Sequence, residues 1–341
     1  TGDRSGAGGA GQALALEAAI QIERALAASG EVGGELERDL AEAMLAYLRR
    51  EYDALSGLLE RAIGRFGDAP GAEEFHWLQG LVGSPERRCA SLDRALAIRP
   101  RFPRALLARA DERSFADDFD RALPDYDEAI RIEPRLLIAY INRSACRRLS
   151  GDLAGASGDA EEAIRLDAAC SRAWFQRGMV FYCQGELEPA ARDLGEAIRL
   201  DPRDGCPLAT RAAVRRQRGD LAGALEDSTR AVELDSGLST AWDERGAIHR
   251  DLGLRLAAEG RLPEAHAEFQ SALRDHDQSV ALEPRHPGFA TNRGAARSLL
   301  GDQDGAIADY SLALELAPPD WPHRPLVEGV LKELLAKRGR R

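Results

Sequence analysis

The stretch RAWFQRGMVFYCQGELEPAARDLGEAIRLDP, residues 172–202, decides the fold. In its first half Ala173, Trp174, Met179, Val180 and Phe181 recur at helical spacing, and in its second half Ala190, Ala191, Leu194, Ala197 and Ile198 line one stripe. Gly185 and Glu186 turn the chain between the halves. Asp201 and Pro202 end the second helix, because proline has no N–H for the next helical hydrogen bond and restricts the residue before it. The stretch is a helix hairpin, and one hairpin cannot bury its apolar face alone.

Outward from this hairpin the same unit returns. Arg109, Arg143, Arg177, Arg211, Arg245 and Arg293 step by 34 residues, except for a last step of 48. Asp125, Asp159, Asp193, Asp227, Glu268 and Asp309 step by 34 and then twice by 41. A small residue follows each arginine (Ala110, Ser144, Gly178, Ala212, Gly246, Gly294), where two helices must approach closely. Trp174 and Trp242 stand four residues before theirs, with Tyr140 and Leu106 at equivalent places. Gly151, Gly185, Gly219, Gly260 and Gly301 mark the bends, alanines follow five residues later, and Pro134, Pro202, Pro284 and Pro318 close units. A tandem array of this period is built by stacking hairpins.

This pattern of Trp, small residue, Ala, aromatic and Pro resembles the tetratricopeptide repeat over residues 69–318, with the Ala- and Arg-rich, repeated Arg-Gly character of bacterial arrays. The expected fold is all-α, a right-handed α-solenoid of stacked antiparallel helix hairpins. Hairpins are expected to begin near Arg101, Arg135, Ala169, Arg203, Gly237 and Arg285. Residues 1–11 read as a flexible glycine-rich linker at an excised or processed end, and 12–68 as N-terminal helices (12–28, 35–50, 52–66) with a degenerate repeat. The array comprises a shortened repeat at 69–100, regular repeats over 101–236, an extended repeat at 237–284 and a regular one at 285–318. Residues 319–341 form a capping helix and a basic tail with Lys337, Arg338, Arg340 and Arg341.

The broken period locates the extension. Fourteen extra residues divide as seven and seven around Glu268, and Gly253 sits where the ordinary bend would fall, Gly260 where it now falls. Seven residues are close to two helical turns, so both helices lengthen by about 10 Å without rotating the packed face. Helix one is expected to run to about Glu259 and helix two from about Pro263 to Leu282, with Arg255, Leu256 and Leu262 at a projecting bend.

The two charged ladders point to an internal ion-pair series that fixes repeat register, since guanidinium and carboxylate suit bidentate pairing. The competing reading is a row of arginines facing a phosphate or carboxylate ligand. The resemblance implies that first helices line a groove for extended or helical peptides. The matching places are Ile138, Ile141, Ala145 and Arg148, then Arg172, Phe175, Met179 and Tyr182. The next units give Cys206, Ala209, Ala213 and Arg216, then Thr240, Asp243, Ala247 and Arg250. Of these, Ile141, Phe175, Met179 and Tyr182 make an apolar centre and Arg148, Arg172, Arg216 and Arg250 a basic rim, which fits a peptide with an apolar anchor and acidic flanks. The lysine and asparagine clamp by which family members hold chaperone C-termini is absent: Leu107, Ile141, Phe175, Ala209, Asp243 and Thr291 occupy its first place.

The remaining features exclude more than they suggest. No run of eighteen apolar residues spans a membrane. A net charge of -11 argues against nucleic acid. Five cysteines without a CxxC pair favour a reducing, cytoplasmic setting over a disulfide framework. No P-loop, GxSxG or HExxH motif is present, and His266, His276 and His286, ten apart, lack the i, i+4 spacing of metal ligands, so no cofactor or metal is expected. The expected function is a non-catalytic protein-interaction scaffold. The alternative is the regulatory or substrate-presenting region of a larger enzyme, such as a bacterial serine/threonine kinase or a glycosyltransferase.

Overall fold

A small residue on one helix faces a larger one on the next, and this pairing sets how closely the two helices of a hairpin approach. Gly178 lies against Leu194, with a virtual Cβ at 3.0 Å from the leucine side chain. Gly294 similarly receives Tyr310, and Gly246 the ring of His276. Ser144 uses its hydroxyl to donate to the Ala156 carbonyl at 2.7 Å, so its polar atom is satisfied inside the pair.

The computed structural model describes residues 34–338, side chains at 85 and 86 excepted. Among the described residues there are 17 helices and no strands. The calls on 1–11, on a helix at 12–28, and on Arg340 and Arg341 lie outside them. The chain divides after Ala168 into two units, each a stack of antiparallel hairpins. The first holds α1 (Glu35–Leu48), α2 (Tyr52–Phe66), α3 (Glu73–Val82), α4 (Pro85–Ile98), α5 (Pro103–Phe115), α6 (Phe119–Ile132), α7 (Leu137–Leu149) and α8 (Leu153–Leu166). The second holds α9 (Ser171–Cys183), α10 (Leu187–Leu200), α11 (Gly205–Gln217), α12 (Leu221–Leu234), α13 (Ser239–Ala258), α14 (Leu262–Leu282), α15 (Pro287–Leu299), α16 (Gln303–Leu316) and α17 (Arg324–Arg338). From α5 on, each hairpin's first helix starts two residues after the start expected from sequence.

Both units bury small alternating cores rather than one centre. In the first, Leu55, Leu59, Phe75 and Leu78 form one cluster and Leu92, Phe102 and Leu106 the next. In the second, Leu194 and Val214 pack with Ala190, then Ile198, Leu208 and Val232 with Ala231 and Ala241. Val327 and Leu334 of α17 close the last hairpin against Ile307 and Tyr310.

Local chemistry fixes the hairpin ends. Asp152, Asp220 and Asp302 cap their helices by accepting from the Gly155, Gly223 and Gly305 amides at 2.9, 3.0 and 2.9 Å, each cap contributing about 1 kcal/mol. The bend needs a left-handed residue, which glycine supplies at Gly185 with φ 78°. In the α5/α6 hairpin that duty falls to Asp117, at φ 58°.

The α13/α14 hairpin is longer than the rest. Its helices have 20 and 21 residues against 13 and 14 in α9 and α10, seven more in each. A second small-large pair holds the added turns: Gly253 meets Phe269 so closely that a Cβ would stand 2.5 Å from the ring. Helix runs unbroken through Leu252 to Ala258, and the bend at Gly260 carries exposed Leu254 and Leu262.

Candidate functional site

The arginine series is paired within the hairpins. Arg109, Arg143, Arg177, Arg211 and Arg293 each hold the aspartate 16 residues on through Nε and Nη2, at Asp125, Asp159, Asp193, Asp227 and Asp309, with distances between 2.5 and 3.2 Å. The five carboxylates are at most 9% exposed, so these are paired charges inside the hairpins and not a row offered to a ligand. Aromatic rings complete the seat: Arg177 lies 4.9 Å from the Trp174 centroid, Arg245 4.7 Å from Trp242 and Arg143 5.5 Å from Tyr140. Burial opposes the charge on Arg143, yet its hydrogen bonds to Asp159 and Asp127 outweigh it and hold the guanidinium above its ordinary value.

One rung was misplaced. Arg245 pairs with Asp275, at 2.8 and 2.7 Å, and not with Glu268, which instead meets His249 Nδ1 at 2.6 Å. Counted from the bend, Glu268 occupies the aspartate's place. The pair forms at the base of the hairpin, however, and both seven-residue additions lie beyond it. The acid ladder therefore steps by 48 and then 34, where the arginine ladder steps by 34 and then 48, because both additions fall between Arg245 and Asp275.

A second arginine series escaped the sequence reading. Arg113, Arg147, Arg215 and Arg297, one helical turn after the first, approach the same aspartates at 2.7, 2.9, 3.0 and 2.9 Å. Its signal is weaker, since the steps are 34, 68 and 82, with Phe181 and His249 at the intervening places. Further acids tie neighbouring hairpins together, since Arg109 also donates to Asp93 and Arg143 to Asp127, at 2.6 and 2.5 Å.

In the second unit, the first helices α9, α11, α13 and α15 are joined along one face by polar bridges. Gln217 donates to the Tyr182 hydroxyl at 2.9 Å. Arg216 reaches Glu244 at 2.5 Å and Asp251 at 3.1 Å. Asn292 donates to Asp243, whose Oδ1 also lies 3.0 Å from Nδ1 of the buried His276. Phe175 and Tyr182 pack beside the Ala190, Leu194 and Val214 core while keeping part of their surface open, and Met179 is likewise half-buried.

The groove candidates thus separate. Arg172, Phe175, Met179 and Tyr182 lie along α9, with Arg172 exposed. Ile141 is only 1% exposed and belongs to the core of the first unit, because its place in the repeat marks register and not depth. Arg216 is not a free rim charge, being held by two carboxylates, and Arg250 donates to Asp251 at 3.1 Å. Arg148 sits on α7 in the first unit with a buried Nε that has no hydrogen-bond partner among the described residues. Sequence reasoning missed Glu244, Asp251 and Asn292, whose partners lie one repeat away.

The three histidines serve different ends. His276 fills the knob position against Gly246, His286 accepts from the Phe289 amide at 3.3 Å, and His266 is exposed. Among the described residues no three His, Cys, Asp or Glu side chains gather as a metal site, and no helix is long and apolar enough to cross a membrane.

Comparison with known proteins agrees with this architecture. The tetratricopeptide repeat model matches residues 171–204. No curated protein sequence matches the chain. A chain of the APC/C hetero-tetramer Cut9-Hcn1 is similar in structure, with TM-score 0.62 and 14% identity, over 92% of this chain and 59% of that one. Yeast Tom70 gives 0.58 and 14%, over 90% and 66%. A tetratricopeptide repeat protein from Parabacteroides merdae gives 0.59 and 17%, over 79% and 98%. The chain spans less than two thirds of the Cut9-Hcn1 and Tom70 chains, and the likeness at these identities is one of fold. Residues 171–204 match the tetratricopeptide repeat, and the chain has the fold of tetratricopeptide repeat solenoids.

Proposed function

We propose that the chain is a protein-interaction scaffold without catalytic chemistry of its own, and that it holds a peptide or protein segment on the first-helix face of the second unit. The observation that carries this reading is the α9 patch. Phe175, Met179 and Tyr182 keep surface open on one face, beside a row of side chains already fixed by Tyr182–Gln217, Arg216–Glu244 and Asp243–Asn292 bridges. A pre-ordered wall loses little side-chain entropy on binding, and aromatic anchors carry much of the energy of such contacts.

An apolar anchor on the partner fits this patch. Acidic flanks fit less well, since Arg216 and Arg250, on which that expectation rested, are already paired with carboxylates. Phe175→Ala with Tyr182→Ala tests the reading in a binding assay with a peptide selected on the wild-type chain. Affinity should fall by about tenfold or more while helical circular dichroism stays unchanged. Unaltered affinity in the folded double variant would overturn it.

A further inference from the structure

Independently of the second unit, we propose that the first unit docks a partner segment in which a single acidic side chain, Asp or Glu, stands beside a large apolar residue, with Arg148 receiving the carboxylate. An arginine without a carboxylate lies here next to two exposed apolar side chains, at the ends of α5 and α7.

Arg148 is the exception on its helices. Of the arginines on α5 and α7, Arg104 pairs with Glu74, Arg109 and Arg113 with Asp125, and Arg143 and Arg147 with Asp159. Arg148 meets no carboxylate among the described residues, whereas Arg216 and Arg250, at its place in later hairpins, each hold one. The acids of α5 are engaged elsewhere: Asp111 accepts from the Tyr126 hydroxyl at 2.6 Å and from Asn142 at 2.9 Å, and Glu112 accepts from Arg88 at 3.1 Å. The Nε of Arg148 is covered, but the side chain is only half-buried and neither Nη shares that burial, so the fork stays open to the surface. A carboxylate pairs with such a fork through both Nη atoms, and it compensates a charge that burial has already stripped of part of its water.

The apolar half of the site is set by repeat register. Phe115 and Leu149, the last residues of α5 and α7, hold one place in successive hairpins and are 79% and 55% exposed. Their helices are neighbours, joined by the Asn142–Asp111 bond. Beyond Phe115 the α5/α6 bend carries Asp117, Asp118 and Asp120, with Arg121 3.6 Å from Asp118. The surroundings are therefore not basic, and a run of acids would be repelled at that bend. One carboxylate over α7, with the apolar residue toward Phe115, answers the fork and avoids the bend.

The experiment is selection of a phage-displayed random-peptide library on the full chain carrying Phe175→Ala and Tyr182→Ala, so that the α9 patch does not contribute. Enriched peptides should hold one Asp or Glu near a large apolar residue, and exchanging that acid for its amide should weaken binding about tenfold, as expected for loss of a charge-assisted pair. Arg148→Gln should abolish the difference between acid and amide, and Arg148→Lys, which keeps the charge and loses the fork, should retain part of it. Phe115→Ser with Leu149→Ser should weaken both forms; circular dichroism checks that each variant is folded. No enrichment, enrichment of peptides without an acid, affinity that climbs with every added acid, or an acid preference that survives Arg148→Gln would overturn the proposal. None of these results bears on the second unit, whose aromatic patch is absent from the test.

Discussion

Removing the buried carboxylate of a rung should cost more where two arginines depend on it than where one does. Asp159 accepts from Arg143 at 2.9 and 2.5 Å and from Arg147 at 2.9 Å, and its side chain is 4% exposed. Among the described residues Asp193 accepts from Arg177 alone in the corresponding seat, because Phe181 replaces the second arginine and lies 5.9 Å from the guanidinium. Stripping one partner from a buried ion pair costs about 3–5 kcal/mol, because the remaining charge stays desolvated. Asp193→Ala should fall near the lower end of this range. Asp159→Ala should reach the upper end, since a second charge-assisted hydrogen bond, worth about 1.5–3 kcal/mol, is stranded too. The difference of roughly 2 kcal/mol is about thirtyfold in an opening equilibrium. Stacked hairpins open locally, so native-state hydrogen exchange within α7/α8 and α9/α10 reads the two costs separately. Replacing the whole seat, with Asp159→Leu, Arg143→Met and Arg147→Met together, should recover most of the loss. Equal losses for the two alanine variants, or no recovery in the triple variant, would refute the account of the ladder.

Three further outcomes follow from particular residues. Asp117→Gly should stabilise the α5/α6 hairpin by about 1 kcal/mol, measured by hydrogen exchange, because it relieves a left-handed aspartate. Gly253→Leu should loosen the outer turns of α13 and α14, where the new side chain meets Phe269 and the Ala265 carbonyl, and adding Phe269→Ala should restore part of the protection there. Because Glu244 titrates above its ordinary value of 4.5 in the folded chain, it binds a proton more tightly there than when unfolded. Its contribution is therefore fully present below that value and lost as pH rises. Urea titrations should show wild type gaining on Glu244→Gln as pH falls from neutral toward 4.5, and a gap that does not change with pH would contradict this.

The fold was legible because its determinants are local and periodic. A turn glycine, a small residue and an arginine recur at one spacing, so each hairpin can be read from its own sequence even though it needs its neighbours to bury its apolar face. The extended hairpin was legible in outline for the same reason: Gly253 and Gly260 mark the old and new bends. Glu268 was misread because a register counted from the bend and one counted from the base agree in every hairpin except this one. The site was harder to read. Ile141 and Phe175 hold the same place in their repeats, yet one is buried and the other half-open, and that difference depends on neighbouring helices and not on spacing. Glu244 could not be matched to Arg216 across 28 residues, because the contact joins two repeats and has no rung-like recurrence.

The chain contains only two methionines, and they report on different places. Met179 lies on the α9 face, while Met44 packs against the α1–α3 core of the first unit. Methyl-labelled methionine therefore gives two resonances that can be followed as a selected peptide is titrated into the full chain. Docking on the first-helix face of the second unit predicts that the Met179 methyl signal shifts and saturates with the binding curve while Met44 stays in place. Saturable binding that moves Met44, or that leaves Met179 untouched, would contradict it.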